Sequence, residues 1–495
     1  MKKMKSFIAI LLSVLMLLGT VVFTSGCTNT PTEPTPTGET TGDSTDDTTG
    51  ELKFDEQGNV IFENVNIKLA TVVAGEDLAT FQNLIARFNN EYDGKIYIEV
   101  ESIAQGLYET QVANKISNNN NPPDLLMSHG KHHKNFADKN MILPFNEAME
   151  ASGITIDFAQ YSEGLTNNRN LGATDGSIYS IAADAQSIIV VYNKKLLEEI
   201  GATVPTTRAE LLDVCAKFKA KYGNAPIAWA DNASDNTNFS EYTFATAILQ
   251  NGGTIVNDEG RVDWYDNADN LAAVKNAIAA FRELYDNGYV KRNEGYSVGL
   301  SEFMNGERLF FFTAPWFLQG LVQNYASQMG VSEQELMEKY LGGASLAGWF
   351  AMGDNADKVC SNYIYGDSHC FAMSKTATDI NKQAAIVEFI KWFTQTDSIA
   401  AKWAEAGHIT SCMSTFNSQE YQSNAYVSNY IAAFYPEIDN FQVMPITKGA
   451  NTVVTNLNSL YAGTITVESG YTDAADEQAI KNRQNEVNNT IDFFE

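Results

Sequence analysis

Between Ile67 and Met127 the apolar positions switch repeatedly between two periods, and that alternation limits the fold more than any other stretch of the chain. Ile67, Leu69 and Thr71 to Val73 read as a strand, and Leu78, Phe81, Leu84, Ile85 and Phe88 then recur at helical spacing. Ile96, Ile98 and Val100 alternate again as a second strand. A helix from about Leu107 to Ser117, a loop over Asn118 to Pro123 and a third strand over Asp124 to Met127 complete β-α-β-α-β. Strands joined through helices run parallel with right-handed crossovers. Ligands of such sheets sit beyond the carboxyl ends of the strands, here Ala74 to Asp77, Ser102 to Gly106 and Ser128 to Gly130.

A second constraint lies in Gly176 to Leu197. Two apolar runs, Ile178 to Ala183 and Ile188 to Tyr192, flank the polar step Asp184-Ala185-Gln186-Ser187, and an amphipathic segment follows. Strands in two different sheets would make 184–187 a hinge between lobes, with its side chains facing a cleft. Beyond it, Thr207 and Glu210 stand at capping-box spacing ahead of the stripe Leu211, Val214, Cys215 and Phe218. A strand over Ile227 to Ala230 ends at Trp229-Ala230-Asp231, and helices are predicted over Phe239 to Gln250 and Asn270 to Asp286. The stretch FMNGERLFFFTAPWF places Pro315 and Trp316 just past a strand over Leu309 to Phe312. A further strand from Tyr363 to Met373 holds the polar group Gly366-Asp367-Ser368. Helices then lead to Gly407-His408-Ile409-Thr410, and three more helical stretches finish the chain. No internal repeat is evident.

At 495 residues, 44% of them hydrophobic, the chain is too long for one core, and more than one α/β unit is expected. Its formal charge of −28 argues against nucleic acid, whose phosphates are bound by Lys and Arg, and disfavours docking on anionic lipid. Lys2, Lys3 and Lys5 precede an apolar run from Phe7 to Phe23, which makes 1–26 a secretory signal. The run is nearly long enough to span a bilayer, so an uncleaved anchor is the alternative. Thr24-Ser25-Gly26-Cys27 resembles the bacterial lipobox, which implies a lipidated Cys27 at the mature N-terminus, although Thr24 stands where that pattern usually has Leu. Residues 28–50 hold only Thr, Pro, Gly, Asp, Glu, Ser and Asn, too polar to fold. A tether of about 35 residues, spanning roughly 30 Å on average, follows for 27–60. Of the remaining cysteines, Cys215 is expected in a core, and export leaves a Cys360 to Cys370 bridge open.

Two motifs point elsewhere. His129, His132 and His133 form H-x-x-H-H, but no Glu, Asp or Cys accompanies them at zinc spacing. No metal or cofactor is expected, His129 is a candidate ligand contact, and His132 and His133 read as a solvated helix start. Gly295-Tyr296-Ser297-Val298-Gly299 matches the G-x-S-x-G elbow of serine hydrolases, with Asp367 and His408 in the required chain order. The residues before it are too polar for the buried strand that the elbow needs, so a loop is the reading preferred over an exported serine hydrolase using Ser297.

PPDLLMSHG, YSIAADAQSIIVVYNKKLLEEIG with VPTTRAELLDVCAKF, FMNGERLFFFTAPWF, and FAMSKTATDINKQAAIVEFIKWFTQTDSIAAKWAEAGHIT occur in series from about residue 65 to 415. In this order they resemble the bacterial extracellular solute-binding proteins of carbohydrate-uptake ABC transporters, the maltose-binding-protein-like group called family 1. The resemblance implies an α/β periplasmic-binding-protein-like fold of two lobes, each a mainly parallel sheet flanked by helices, joined by a hinge of several crossings near Asp184, Tyr365 and Thr415. The first lobe would hold 61–183 plus 366–416, and the second 184–365 plus 417–495. It implies a carbohydrate ligand, permease subunits as partners, a membrane contact through lipid alone, a monomer, and a place at the extracellular face or in a periplasm, with no enzymatic activity. Trp316 falls where the family stacks an aromatic on a sugar ring, and Asp184 or Gln186 near its hinge-side polar ligand. SHGKHH replaces the acidic residue that maltose-binding protein carries after its third strand, which points away from maltose. A sugar needs an aromatic on its face and carboxylates or amides at its edge. Trp229 and Trp349 are further candidates for the face, and Glu76, Asp231 and Asp367 for the edge.

Overall fold

The alternating periods near the start of the chain fold as the expected β-α-β-α-β unit. A computed structural model describes residues 51–231, 240–434, 440–466 and 471–494, the side chains of 76 and 494 excepted. Residues 1–26, read above as a secretory signal, and Cys27 lie outside the described residues. The unit comprises β1 (Val65–Thr71), α1 (Gly75–Glu91), β2 (Ile96–Ser102), α2 (Gln105–Ser117) and β3 (Leu125–His129). β1 lies between β2 and β3 and is parallel to both. Ile67 and Leu69 point into a core that α1 closes with Phe81, Leu84 and Phe88, all buried as the two periodicities require.

After β4 (Ile142–Leu143) and β5 (Ile181–Ala182), the chain makes a two-residue strand β6 (Asp184–Ala185) and enters β7 (Ile189–Asn193). α3 (Arg208–Tyr222) is capped by Thr207, whose side chain accepts from the Glu210 N–H, while Glu210 reaches back to the N–H of Thr206. β8 (Ile227–Ala228), α4 (Ser240–Gln250), α5 (Ala268–Asp286), α6 (Tyr296–Met304), β9 (Phe310–Thr313), α7 (Leu318–Met329) and β10 (Leu341–Ala344) follow. The remaining elements used below are β11 (Ile364–Gly366), β12 (His369–Ser374), α8 (Ile380–Gln395), α9 (Asp397–Glu405), β13 (Ile409–Thr410), β14 (Phe441–Val443), α10 (Ala450–Thr464) and α11 (Asp473–Phe494).

Two principal sheets result. The first has the order β2-β1-β3-β12-β4, with β5 also on β12, and the second the order β10-β7-β9-β8. The single strand expected over Tyr363 to Met373 is in fact two strands: β11 pairs with β14, and β12 joins the first sheet. Gly366-Asp367-Ser368 is the step between them. A parallel core is found in β2-β1-β3, but β12 runs antiparallel to β3, and the second sheet has one parallel ladder, β8 with β9, against two antiparallel ones. The expectation of mainly parallel sheets fails there because β7 arrives straight from the first sheet rather than through a helical crossover.

The polar step after β5 and the step after β11 run side by side. Gln186 and Asp367 exchange backbone hydrogen bonds of 2.9 and 2.8 Å, and β6 pairs with β13. Thr415, where a third crossing was expected, lies in the short helix Met413–Phe416 just after β13. Cys215 is in the core beneath the second sheet, as expected. Cys360 and Cys370 are free thiols and form no bridge: Cys370 is buried in β12 against Gly130, whereas Cys360 sits beside the Gln250 carbonyl.

Candidate functional site

The carboxyl ends of β1, β2 and β3 open onto a cavity of about 390 Å³. Its first wall holds Val72 to Ala74 and Asp77 beyond β1, Gln105 beyond β2, and His129 and Lys131 at the end of β3. Gln186 from the polar step, Glu241 and Tyr242 from α4, Trp316 beyond β9, and His369 and His408 complete it. A larger crevice of about 700 Å³ between Glu109 to Lys139 and Lys448 to Thr452 has no aromatic lining residue. The smaller cavity has two, and it lies where open α/β sheets place their ligands.

Strand register sets the polar groups. β12 pairs His369 with His129 across the ladder, and their rings stand 5.0 Å apart. Asp367 Oδ2 lies 3.0 Å from Lys131 Nζ and 3.1 Å from His129 Nδ1, and the same lysine is 3.2 Å from Glu241 Oε1. Burial works against the charge of Lys131, but the facing carboxylates of Asp367 and Glu241 outweigh it and hold its pKa well above the usual range. Asp367 is held well below the carboxylate range despite its burial, by Lys131 and His129. Burial pushes His129 down to about 4, more than Asp367 raises it, so its imidazole is neutral at neutral pH.

Behind this layer, Asp184 is fully buried. Its Oδ1 accepts the His369 backbone N–H at 2.8 Å, and its Oδ2 lies 2.9 Å from His369 Nδ1 and accepts the Trp403 indole N–H at 2.9 Å. Burial alone would raise its pKa, yet His369 beside it brings it down to about 2. His408 lies with its ring stacked on Trp403 and its Nε2 3.0 Å from Asp77 Oδ2.

Of the residues singled out in the sequence, the structure brings Trp316, Gln186 and His129 to the cavity wall. Asp184 and Asp367 lie one layer behind it, turned toward histidines and Lys131. The Glu76 side chain is outside the described residues. Trp229, Trp349 and Asp231 are placed differently from the expectation. Trp349 is wholly buried and donates to the Pro205 carbonyl at 2.9 Å, and Trp229 donates to the Tyr285 hydroxyl at 3.1 Å among Phe281 and Phe312. Asp231 accepts from the Tyr285 hydroxyl at 2.6 Å and from the Glu294 N–H at 2.7 Å, so it ties core loops together. These side chains have their faces or lone pairs committed to the core. His132 and His133 are buried rather than solvated, His133 between Ser128 Oγ at 3.0 Å and Ser180 Oγ at 2.9 Å.

Asp77, Gln105, Lys131, Glu241, Tyr242, His369 and His408 were not singled out as ligand contacts. Strand-end position could have found Asp77, Gln105 and Lys131. Ser297 is exposed in the first turn of α6, after a coil segment and not a strand, and among the described residues no histidine is hydrogen-bonded to it. The elbow geometry of a serine hydrolase is absent there.

Residues 83–429 match the family model described as bacterial extracellular solute-binding protein. The chain belongs to that family, which is one of binding proteins. Among curated proteins no sequence matches. Solved structures share the fold at low identity. The sugar-binding protein MalE from Xanthomonas citri is 17% identical with a TM-score of 0.69, the match covering 87% of this chain and 99% of that one. The cyclic alpha-maltosyl-1,6-maltose binding protein from Arthrobacter globiformis is 16% identical with a TM-score of 0.65, covering 86% and 99%. Maltose-bound MalE3 of T. maritima is 17% identical with a TM-score of 0.63, covering 86% and 100%. The two-lobed α/β binding-protein fold follows from that likeness. Among the described residues no helix is long and apolar enough to cross a membrane.

Proposed function

We propose that the protein is the substrate-binding lipoprotein of an ABC importer, which captures a sugar or oligosaccharide between two lobes and hands it to a membrane permease. The observation that carries this reading is the lining of the strand-end cavity: a half-buried indole, Trp316, among Gln186, His129, Asp77 and Glu241. A sugar presents C–H faces to an aromatic ring and hydroxyls to amides and carboxylates. Stacking that removes about 100 Å² of apolar surface contributes roughly 2.5 kcal/mol, a large share of the roughly 8 kcal/mol of a micromolar complex. The sugar ligands named for the Xanthomonas citri and Arthrobacter globiformis proteins support the same ligand class.

In this reading 61–183 with 366–416 form one lobe and 184–365 with 417–495 the other, and the paired steps at Gln186 and Asp367 are the hinge. Ligand shifts the population toward the closed form in proportion to its differential affinity. The contacts are Trp316, Gln186 and His129, with Asp77 and Glu241 added, while Asp184 and Asp367 orient the histidines and Lys131. Lipidated Cys27 and the polar tether hold a monomer at the outer face of the cell membrane, or in the periplasm of a cell with an outer membrane, and the protein catalyses no reaction.

Calorimetry and tryptophan fluorescence against monosaccharides, oligosaccharides and polyols test this directly. Micromolar binding with a change in indole emission is expected for at least one of them. Silence across the whole panel would overturn the reading.

A further inference from the structure

The cluster beneath the cavity has a feature that sugar binding does not use. Asp184, His369 and His408, on β6, at the start of β12 and just before β13, each offer one ligand atom within 4.8 Å of the others. His408 is 1% exposed, and its Nδ1 has no hydrogen-bond partner, although it stands 3.4 Å from Asp184 Oδ2. Both ring nitrogens of His408 face carboxylate oxygens, Nε2 that of Asp77 at 3.0 Å and Nδ1 that of Asp184 at 3.4 Å. A cation between His408 and Asp184 would satisfy both buried groups.

We propose that Asp184, His369 and His408 form a binding site for a divalent transition-metal ion of the zinc type. Two imidazole nitrogens and one carboxylate oxygen are the donor set such ions take in sites that keep a position open. Ligand bonds of about 2.0–2.2 Å in tetrahedral array put donors about 3.4 Å apart, the separation found between His408 and Asp184. The 2.9 Å between His369 Nδ1 and Asp184 Oδ2 widens by a few tenths of an ångström as the Nδ1 proton is released to solvent on metal binding and the lone pair turns to the ion. The surroundings already orient the ligands in the way metal sites require. Asp77 faces His408 Nε2 at 3.0 Å, the Trp403 indole N–H holds Asp184 Oδ2, and the His369 backbone N–H holds Oδ1. His369 and His408 both line the cavity, which gives the ion an entry path and places its remaining coordination position within reach of water or of a ligand hydroxyl. None of the H-x-x-H-H run takes part, and the site stands whether or not the cavity holds a carbohydrate.

The test uses the full-length protein, stripped with chelator and titrated with Zn(II) and Co(II), read by elemental analysis, cobalt absorption and melting temperature. One ion per chain is expected, with a tetrahedral cobalt spectrum and a raised melting temperature. His408→Gln and His369→Gln should each lower affinity by at least about 100-fold, Asp77→Asn by about 10–100-fold, and His133→Gln should leave it unchanged. Should the buried variants fail to fold, X-ray absorption of the zinc-loaded wild-type protein decides, and two imidazoles with one carboxylate are expected. Absence of stoichiometric binding would overturn the site. So would an ion that both glutamine variants keep, or one with a different ligand set.

Discussion

Trp316 and Trp349 are the same side chain in opposite settings, and the difference predicts separable defects. The indole of Trp316 is half-buried in a turn behind Pro315 and lines the cavity, so Trp316→Ala should remove about 2.5 kcal/mol of stacking. Affinity then falls by roughly 70-fold while the melting temperature changes little. Trp349 is wholly enclosed against Phe310 and Phe312, so Trp349→Ala leaves a cavity and a carbonyl without its donor. It should destabilise by about 3–5 kcal/mol in chemical denaturation. A histidine gives the pH counterpart. Burial, reinforced by His132, pushes His133 down to about 3, well below its unfolded value near 6.5. The unfolded chain therefore binds a proton that the native state refuses as pH falls from about 6.5 toward 3, and native stability is lost over that window. His133→Gln should reduce the acid slope of unfolding free energy by about 1.4 kcal/mol per pH unit, measured by urea unfolding between pH 6 and 4.

At the scale of elements, the turn after α9 controls the position of the aromatic wall. Gly407 adopts φ +90°, and a Cβ built on it would lie 2.1 Å from the Pro315 carbonyl oxygen. Gly407→Ala must strain the backbone and push Pro315 and Trp316 away from His408 at once. Lower stability by about 1–3 kcal/mol together with weaker ligand binding is expected, and normal affinity in a folded variant would show that the wall is positioned otherwise. Elements with a full period were legible in the sequence. β1, α1, β2 and β3 follow from the change between alternate and helical spacing, and the helices α3, α5 and α8 from their stripes. β4, β10 and β14 were not, because their two to four residues show neither a period nor an apolar run like those of β8 and β9, and the split between β11 and β12 falls at Gly366-Asp367-Ser368, a polar group that the sequence pattern places inside one strand. The site was legible in part for a related reason. Trp316, Trp229 and Asp231 all follow strands, and local pattern does not say which strand end meets the cavity. Asp184, His369 and His408 meet only because β6 pairs with β13 and β5 with β12, a consequence of topology that no local spacing records.

At the scale of the molecule, Lys131 occupies a position between three parts of the fold. It leaves the end of β3, faces Asp367 on the step between β11 and β12, and reaches Glu241 on α4 beside the second sheet. In the proposed two-lobe closure Asp367 moves with the first sheet through β12, so opening would leave the Lys131 to Asp367 pair in place and separate Lys131 from Glu241. That contact is then a tie present in the closed form alone, and its side chains are about one-tenth exposed, dry enough for an ion pair to contribute about 1 kcal/mol or more. Glu241→Gln should shift the ligand-free population toward the open form, seen as a larger radius of gyration by small-angle X-ray scattering. It should also weaken binding about five- to tenfold, mainly through faster dissociation. Lys131→Met behaves differently, because it strands the buried Asp367 carboxylate as well, and a loss of about 3–5 kcal/mol in stability should accompany the opening. A Glu241→Gln protein with unchanged scattering and an unchanged dissociation rate would remove Lys131 from any part in closure and leave it as a support for Asp367 alone.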